Sequence, residues 1–190
     1  MEKNLFYSET FENIDWSSKG FSKKEFEKCT FKNCNFFESK LLYSRFTDCH
    51  FINCNYAMAK LNGSTLVNAQ FEDCKIMGVV FSDCTDAFFS VGFKNCMMDY
   101  ASFANKKMPK TVFEKCSLKS ADFAKTNLTA SSFDSCNLED AVFDQTILLD
   151  ADFSNAENYV INPQTNKIKN AAFSLHGLPG LLQEFRIRVK

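Results

Sequence analysis

Large apolar residues recur along this chain at every fifth position. The series runs Phe6, Phe11, Trp16, Phe21, Phe26, Phe31, Phe36, Leu41, Phe46, Phe51, Tyr56, Leu61, Leu66, Phe71, Ile76 and Phe81. It slips by two residues and resumes at Phe88, Phe93, Met98, Phe103, Met108, Phe113, Leu118, Phe123, Leu128, Phe133, Leu138, Phe143, Leu148 and Phe153. An amphipathic helix repeats at three and four residues and a strand at two, so neither accounts for a period of five. From residue 29 onward the position two before each centre is mostly small, beginning Cys29, Cys34, Ser39, Ser44, Cys49 and Cys54. The other three positions are mixed and polar. Two inward residues, one large and one small, and three outward ones describe one short side of a polygonal coil.

A longer period lies over the short one. Stepping by twenty, with two added at the slip, the centres Phe11, Phe31, Phe51, Phe71, Phe93, Phe113, Phe133 and Phe153 are all Phe, and Phe173 extends them. On the same step the small positions Cys34, Cys54, Cys74, Cys96, Cys116 and Cys136 are all Cys. Twenty residues make four sides of five. The chain is expected to be an all-β solenoid, each residue stacked on its counterpart one turn below, with the six cysteines in one inward column.

The tandem pattern around Ala121-Asp122-Phe123, Ala141-Val142-Phe143 and Ala151-Asp152-Phe153 resembles the pentapeptide-repeat family over roughly residues 20–157. That resemblance implies a right-handed quadrilateral β-helix of pentapeptide repeats. Stacked about 4.8 Å apart, seven to eight coils give a rod whose ends need covers. Residues 1–158 form the expected β-helix, and residues 159–190 a closing coil, short helix and strand. Leu178 to Phe185 reads as the helix, and Arg186-Ile187-Arg188-Val189-Lys190 alternates like a terminal strand.

Composition changes the picture in three ways. There are 22 Phe but only six Gly and three Pro. Tight turns normally draw on Gly and Pro, so their scarcity predicts corners in a standard conformation that most residues tolerate. All nine Cys, Cys84 included, fall on the small inward position and read as apolar filler rather than zinc ligands. His50 and His176 stand apart with no nucleophile beside them, and there is no Gly-rich phosphate loop. No active site, metal site, cofactor or small-molecule substrate is indicated. The N-terminus lacks the plan of a signal peptide and no apolar run is long enough to span a membrane. A cytoplasmic protein with reduced thiols is expected.

Two interruptions invite a functional reading, because loops carry function more often than cores do. One spans Ser82 to Ala87, with Asp83 and Asp86. The other is Asn105 to Lys110, with Lys106, Lys107 and Lys110. Lys106 falls on an inward position, where an unpaired ammonium is costly, so this segment is expected to bulge out.

Charge is uneven although the net value is −1. Between Lys125 and Lys167 there is no Lys or Arg, while Asp134, Glu139, Asp140, Asp144, Asp150, Asp152 and Glu157 occupy outward positions. They are expected to girdle the C-terminal coils as an acidic partner-binding surface. The tail resembles the C-terminal helix and strand of the quinolone-resistance branch of the family, whose members pair through it. The resemblance implies a homodimer through Leu178, Leu181, Leu182, Phe185 and Ile187. It further implies a non-catalytic DNA mimic that binds DNA gyrase or topoisomerase IV and protects it from quinolones or toxins, without contacting nucleic acid itself. The chain departs from that branch in its near-neutral charge, in Lys19, Lys23, Lys24, Lys28, Lys32 and Lys40 of its N-terminal half, and in lacking long loop insertions. The alternative is an interaction scaffold for an unrelated protein.

Overall fold

In the computed structural model, which describes residues 4–188, backbone hydrogen bonds run between coils rather than along them. Lys75 N–H donates to the Cys54 carbonyl at 3.0 Å, and Tyr56 N–H to the Lys75 carbonyl at 2.6 Å. Short strands of two to four residues stack in parallel on two sides of the coil. A nine-stranded sheet orders Ala172–Phe173, Asp152–Phe153, Ser132–Asp134, Val112–Glu114, Val91–Lys94, Ala69–Glu72, His50–Ile52, Thr30–Lys32 and Thr10–Glu12. A four-stranded sheet stacks Leu5–Tyr7, Glu25–Glu27, Arg45–Thr47 and Thr65–Val67. A two-stranded pair, Gly20–Ser22 with Lys40–Leu42, and single-residue parallel bridges hold the remaining sides. The result is a four-sided β-solenoid of about eight turns.

The five-residue phase holds. Phe31, Phe36, Leu41 and Phe46 are fully buried, as are Phe113, Leu118, Phe123 and Leu128 at the same places further along. Rings one turn apart lie nearly parallel: Phe31 on Phe51 at 4.9 Å, Phe51 on Phe71 at 4.6 Å, Phe113 on Phe133 at 4.9 Å between centroids. Neighbouring centres within a turn meet edge to face, as Phe51 and Tyr56 do at 86°. Both arrangements suit the ring quadrupole. All nine cysteines are buried. In the six-cysteine column, Cys54 Sγ donates to the Phe31 carbonyl, Cys74 to that of Phe51 and Cys136 to that of Phe113, each at 3.4 Å.

The corners depart from the sequence reading. Residues at every fifth position hold a positive φ of 50–65°, among them Asn13, Asn33, Asp48, Asn53, Asp73, Asn105, Asp140 and Asp150. This is left-handed backbone, which L-residues occupy at a cost of about 1 kcal/mol each. Asn and Asp tolerate it best and recur there, but Ser, Lys, Tyr and Met hold the same conformation at other corners. On several corners the next small residue closes a β-turn, as Ala59 N–H does to the Tyr56 carbonyl at 2.9 Å. Positive φ at the third turn residue is the type II arrangement.

The insertion also sits elsewhere than the grid suggested. Cys84 remains inward and Thr85 Oγ1 stacks 2.9 Å from Thr65 Oγ1, one regular turn below. The two extra residues enter between Asp86 and Ser90, after which Ala69 pairs with Val91 and Phe71 with Phe93. Phe88, the grid centre, is expelled to 81 % exposure with φ 59°, and Phe89 takes the inward place. The four-stranded sheet ends at this level because the loop replaces its next strand.

Nor does Lys106 bulge out. It is 2 % exposed and keeps the inward position of a column that reads Ser44, Ser64, Cys84, Lys106, Thr126, Thr146 and Asn166. From Ser64 onward the others donate to a carbonyl one turn below, as Thr126 Oγ1 does to Phe103 and Thr146 Oγ1 to Phe123, both at 2.9 Å. Lys106 does the same over a longer reach. Its Nζ donates to the Cys84 carbonyl and to Asp86 Oδ1 at 2.7 Å, and lies 5.2 Å from the Phe89 ring centroid. The ammonium is therefore paired and hydrogen-bonded, the condition under which a buried charge is tolerated. The two interruptions are one feature: the lysine of the second ties down the loop of the first.

The tail carries a 3-10 turn Leu175–Gly177, a helix Pro179–Leu182 and a second 3-10 turn Gln183–Phe185. Arg186 has a positive φ and no strand follows through Arg188, so the expected terminal strand is not formed; Val189 and Lys190 lie outside the described residues. Leu181 is buried against the rod, and Tyr159 and Ile161 fill the interior of the last coil. The run opens on a left-handed residue, which breaks the extended backbone a strand needs.

Two predictions follow from the core. Asp86→Ala strands a buried ammonium, whereas Lys106→Met removes it and keeps the volume. In urea unfolding, Asp86→Ala should cost about 1–2 kcal/mol and Lys106→Met less, with the double variant no worse than Lys106→Met; the reverse order would refute the pairing. Burial pushes the thiols of Cys49 and Cys84 up to about 12, although Lys106 draws Cys84 partly back. The folded state then keeps protons that the unfolded chain releases near pH ~8.5. Their stabilisation is complete below that pH and is lost as pH rises toward 12. The urea midpoint should fall over this window, and less steeply in Cys49→Ala.

Candidate functional site

Outward positions on a solenoid stack as strictly as inward ones do, so the surface forms ladders of like residues. Asn53 Nδ2 donates to Asn33 Oδ1 at 2.8 Å, and Asn68 Nδ2 to Asp48 Oδ1 at 2.8 Å. The acidic residues of the C-terminal coils enter the same scheme. Asp134, Glu139, Asp140, Asp144, Asp150, Asp152 and Glu157 are all exposed and are distributed over the four sides. Asp134 Oδ1 accepts from Asn155 Nδ2 at 2.8 Å, and Asp150 Oδ1 from Asn170 Nδ2 at 3.0 Å. The Ser154 hydroxyl and backbone N–H, both directed at Asp152, hold its carboxyl below the usual range. Among the described residues only Glu139 of the seven has an ion pair, with Lys119 Nζ at 2.6 Å. Asp134, Asp144 and Asp150 are oriented by neutral amides and Asp152 by Ser154, rather than by cations.

The remaining candidates fall into two groups. Asp83, Asp86, Lys107 and Lys110 are exposed while Lys106 is buried. Asp83 Oδ2 accepts from Asn62 Nδ2 at 2.6 Å, and Lys107 sits in a regular bridge to Asn127. In the tail, Leu178 is 40 % exposed, Phe185 46 % and Ile187 58 %, with Leu182 half-buried. Leu181 instead covers the end of its own rod, so it is not available to a partner in this conformation.

Sequence reasoning missed several surface residues. Phe88 at the loop tip falls on the five-residue grid yet lies outside, and its adjacent twin Phe89 is the signal that one of the two must leave. Leu175, 85 % exposed, follows the capping Ser174 and extends the apolar surface of the tail. Tyr43, Met58 and Tyr100 occupy corners, where the side chain points outward whatever its polarity. Among the described residues, no three His, Cys, Asp or Glu side chains converge as metal ligands, and no helix is long and apolar enough to cross a membrane.

The family model for pentapeptide repeats matches eight copies, over residues 44–83, 96–134 and 136–157. The interval between the first two matches contains the inserted loop. No curated protein matches the sequence. Among solved structures the fold is similar to a trypsin-treated variant of QnrB1, a plasmid-mediated fluoroquinolone resistance protein. The TM-score is 0.62 at 19 % identity, with 100 % of this chain and 95 % of that one covered. A second trypsin-treated variant of the same protein gives 0.57 at 16 %, covering 98 % and 100 %. At these identities the likeness is one of fold, and it spans the tail as well as the coils. With repeats matched over more than half its length and the coil geometry those repeats build, the chain belongs to the pentapeptide-repeat family.

Proposed function

We propose that this protein is a non-catalytic DNA mimic that binds a type II topoisomerase, DNA gyrase or topoisomerase IV, where that enzyme grips the duplex, and protects it from quinolones or toxins. The observation that carries this reading is the stretch between Lys125 and Lys167. Its carboxylates are exposed on all four sides of the last coils, with no basic residue among them. Fixed carboxylates at the pitch of stacked strands can take the place of phosphates on a basic channel. The fold it shares with a fluoroquinolone resistance protein supports the reading. A cytoplasmic location goes with it, since the enzyme is found there.

The molecule acts as a homodimer joined through Leu178, Leu182, Phe185 and Ile187, with Leu175 beside them. Tail-to-tail pairing brings the two acidic zones together into one longer rod. Phe88, held on its tied loop, adds an apolar contact at the flank.

Replacing Asp140, Asp144, Asp150 and Asp152 with Asn removes charge from exposed positions and should leave the urea midpoint within about 0.5 kcal/mol per site of the parent. Binding to gyrase should weaken, mainly through slower association, and the parent's binding should fall with added salt. A gyrase supercoiling assay with and without a quinolone, titrated with parent and variant, reads the effect. If the variant protects as the parent does, the carboxylates are not the contact. If the parent has no effect, the chain is a scaffold for another protein. For the dimer, Phe185→Ser with Ile187→Ser should sediment as a monomer while keeping the rod intact, since neither residue packs on the core.

A further inference from the structure

Asn62-Gly63 is the one place in the chain where an asparagine precedes a glycine. The pair is chemically labile. With no Cβ to obstruct it, the glycine nitrogen can attack the asparagine side-chain carbon and close a five-membered succinimide ring. The fold nevertheless selects glycine here. Gly63 holds a left-handed corner at φ 67°, and a Cβ on it would meet the Tyr43 ring packed against it from the turn below.

The surroundings leave Asn62 open to water. One turn below, Leu41 N–H donates to the Lys60 carbonyl and Lys60 N–H to the Ser39 carbonyl, both at 2.9 Å. The next step of that ladder, from Lys60 to Val80, is not made. Phe81–Asp83 forms a 3-10 turn, and the Val80 carbonyl accepts from Asp83 N–H at 3.3 Å instead of from Leu61. Among the described residues the N–H groups of Leu61 and Val80 have no acceptor. A cleft of about 300 Å³ opens in the gap, lined by Met58, Leu61, Asn62, Gly78, Val80 and Asp83 among others. Asn62 is exposed at it.

Asp83 reaches across the gap and holds both reacting groups. Its backbone carbonyl accepts from Gly63 N–H, the nucleophile, at 2.9 Å. Its carboxylate Oδ2 accepts from Asn62 Nδ2, the leaving amine, at 2.6 Å. The carbonyl contact is out of step with the other corners. Tyr43 and Met58 donate to Asn62 and Met77, nineteen residues on, whereas Gly63 donates twenty residues on. The 3-10 turn is what carries Asp83 into that place. One bond keeps the glycine nitrogen directed at the next coil rather than at its own neighbour's side chain, and the other keeps that side chain on Asp83.

We propose that Asn62 is a deamidation site held in check by Asp83. Once both bonds open, Gly63 N bonds to Asn62 Cγ, and its proton passes to the side-chain nitrogen, which leaves as ammonia. Water then opens the succinimide at either carbonyl, giving aspartate or isoaspartate at position 62. Either product sets a second carboxylate against Asp83, and like charges so placed repel. Isoaspartate also adds a carbon to the main chain. The tie at Gly63 is thereby lost where the ladder between the coils is already open.

Peptide mass mapping of the full chain, incubated folded near neutral pH and again in urea, tests this. The peptide holding Asn62 should deamidate about tenfold more slowly in the folded parent than in the unfolded chain, since two hydrogen bonds must open first. Asp83→Ala removes the carboxylate and leaves the carbonyl, and should speed the folded-state reaction about fivefold. Asp83→Asn keeps an acceptor for Asn62 Nδ2 and should react near the parent's rate. Urea midpoints of both variants separate a lost contact from a lost fold. Asn62→Asp, the product itself, should lower the urea midpoint and speed hydrogen exchange at the Gly63 amide. A folded parent that reacts as fast as the unfolded chain, or a folded Asp83→Ala that reacts no faster than the parent, overturns the guard. An Asn62→Asp chain with the parent's midpoint and exchange overturns the loss of the tie.

Discussion

The spacing of hydrogen-bonded strands, about 4.8 Å, is the constraint from which the rest of this molecule follows. Because the coils bond to one another through their backbones, every residue is held at that distance from its counterpart twenty positions on. A benzene ring fits the interval face to face, which explains why one column can be Phe from Phe11 to Phe173. A thiol, a serine or a threonine fits the narrower inward place and reaches the carbonyl below. The same spacing acts on the outside, where amides build ladders and charges of one sign accumulate unless another residue intervenes. Lys119 over Glu139 and Lys94 over Glu72 at 2.9 Å are such interventions, and the last coils offer few of them.

A stack of this kind has little room for irregularity, yet it absorbs one. Two residues added between Asp86 and Ser90 displace a strand and open one side of a turn. The gap is closed from the turn above by a side chain longer than any other in its column. Lys106 satisfies a carbonyl, a carboxylate and an aromatic face at once, so the insertion ends in a defined loop rather than a loose one.

What could be read from the sequence was whatever repeats. The centres, the cysteine column and the outward carboxylates all depend on phase alone, and phase is a property of spacing. Non-repeating features escaped. Where an insertion sits depends on which of Phe88 and Phe89 packs better, and spacing cannot choose between neighbours. Whether Lys106 stays inward depends on Asp86, which the sequence places twenty residues away and only the coil brings together. The corners were legible in principle, since Asn or Asp recurs at them from Asn13 to Asp150, but Ser, Lys, Tyr and Met at other corners hid the signal. In the tail, alternation of apolar and basic residues suggests a strand, but the run opens on a left-handed residue, and alternation alone does not make one.

The left-handed corners give the rod a direction of failure. Each turn carries backbone strain that it cannot relieve by itself, while the favourable bonds lie between turns, so the energy of a turn depends on having neighbours on both sides. Isolated turns are unstable, and a stack of them melts from its ends inward. The two ends are unequal. Leu181, Tyr159 and Ile161 close the last coil, whereas Phe6, Phe11, Trp16 and Phe21 of the first are only half-buried. Among the described residues the C-terminal coil is thus the better closed, and the strain of its corners has more packing set against it.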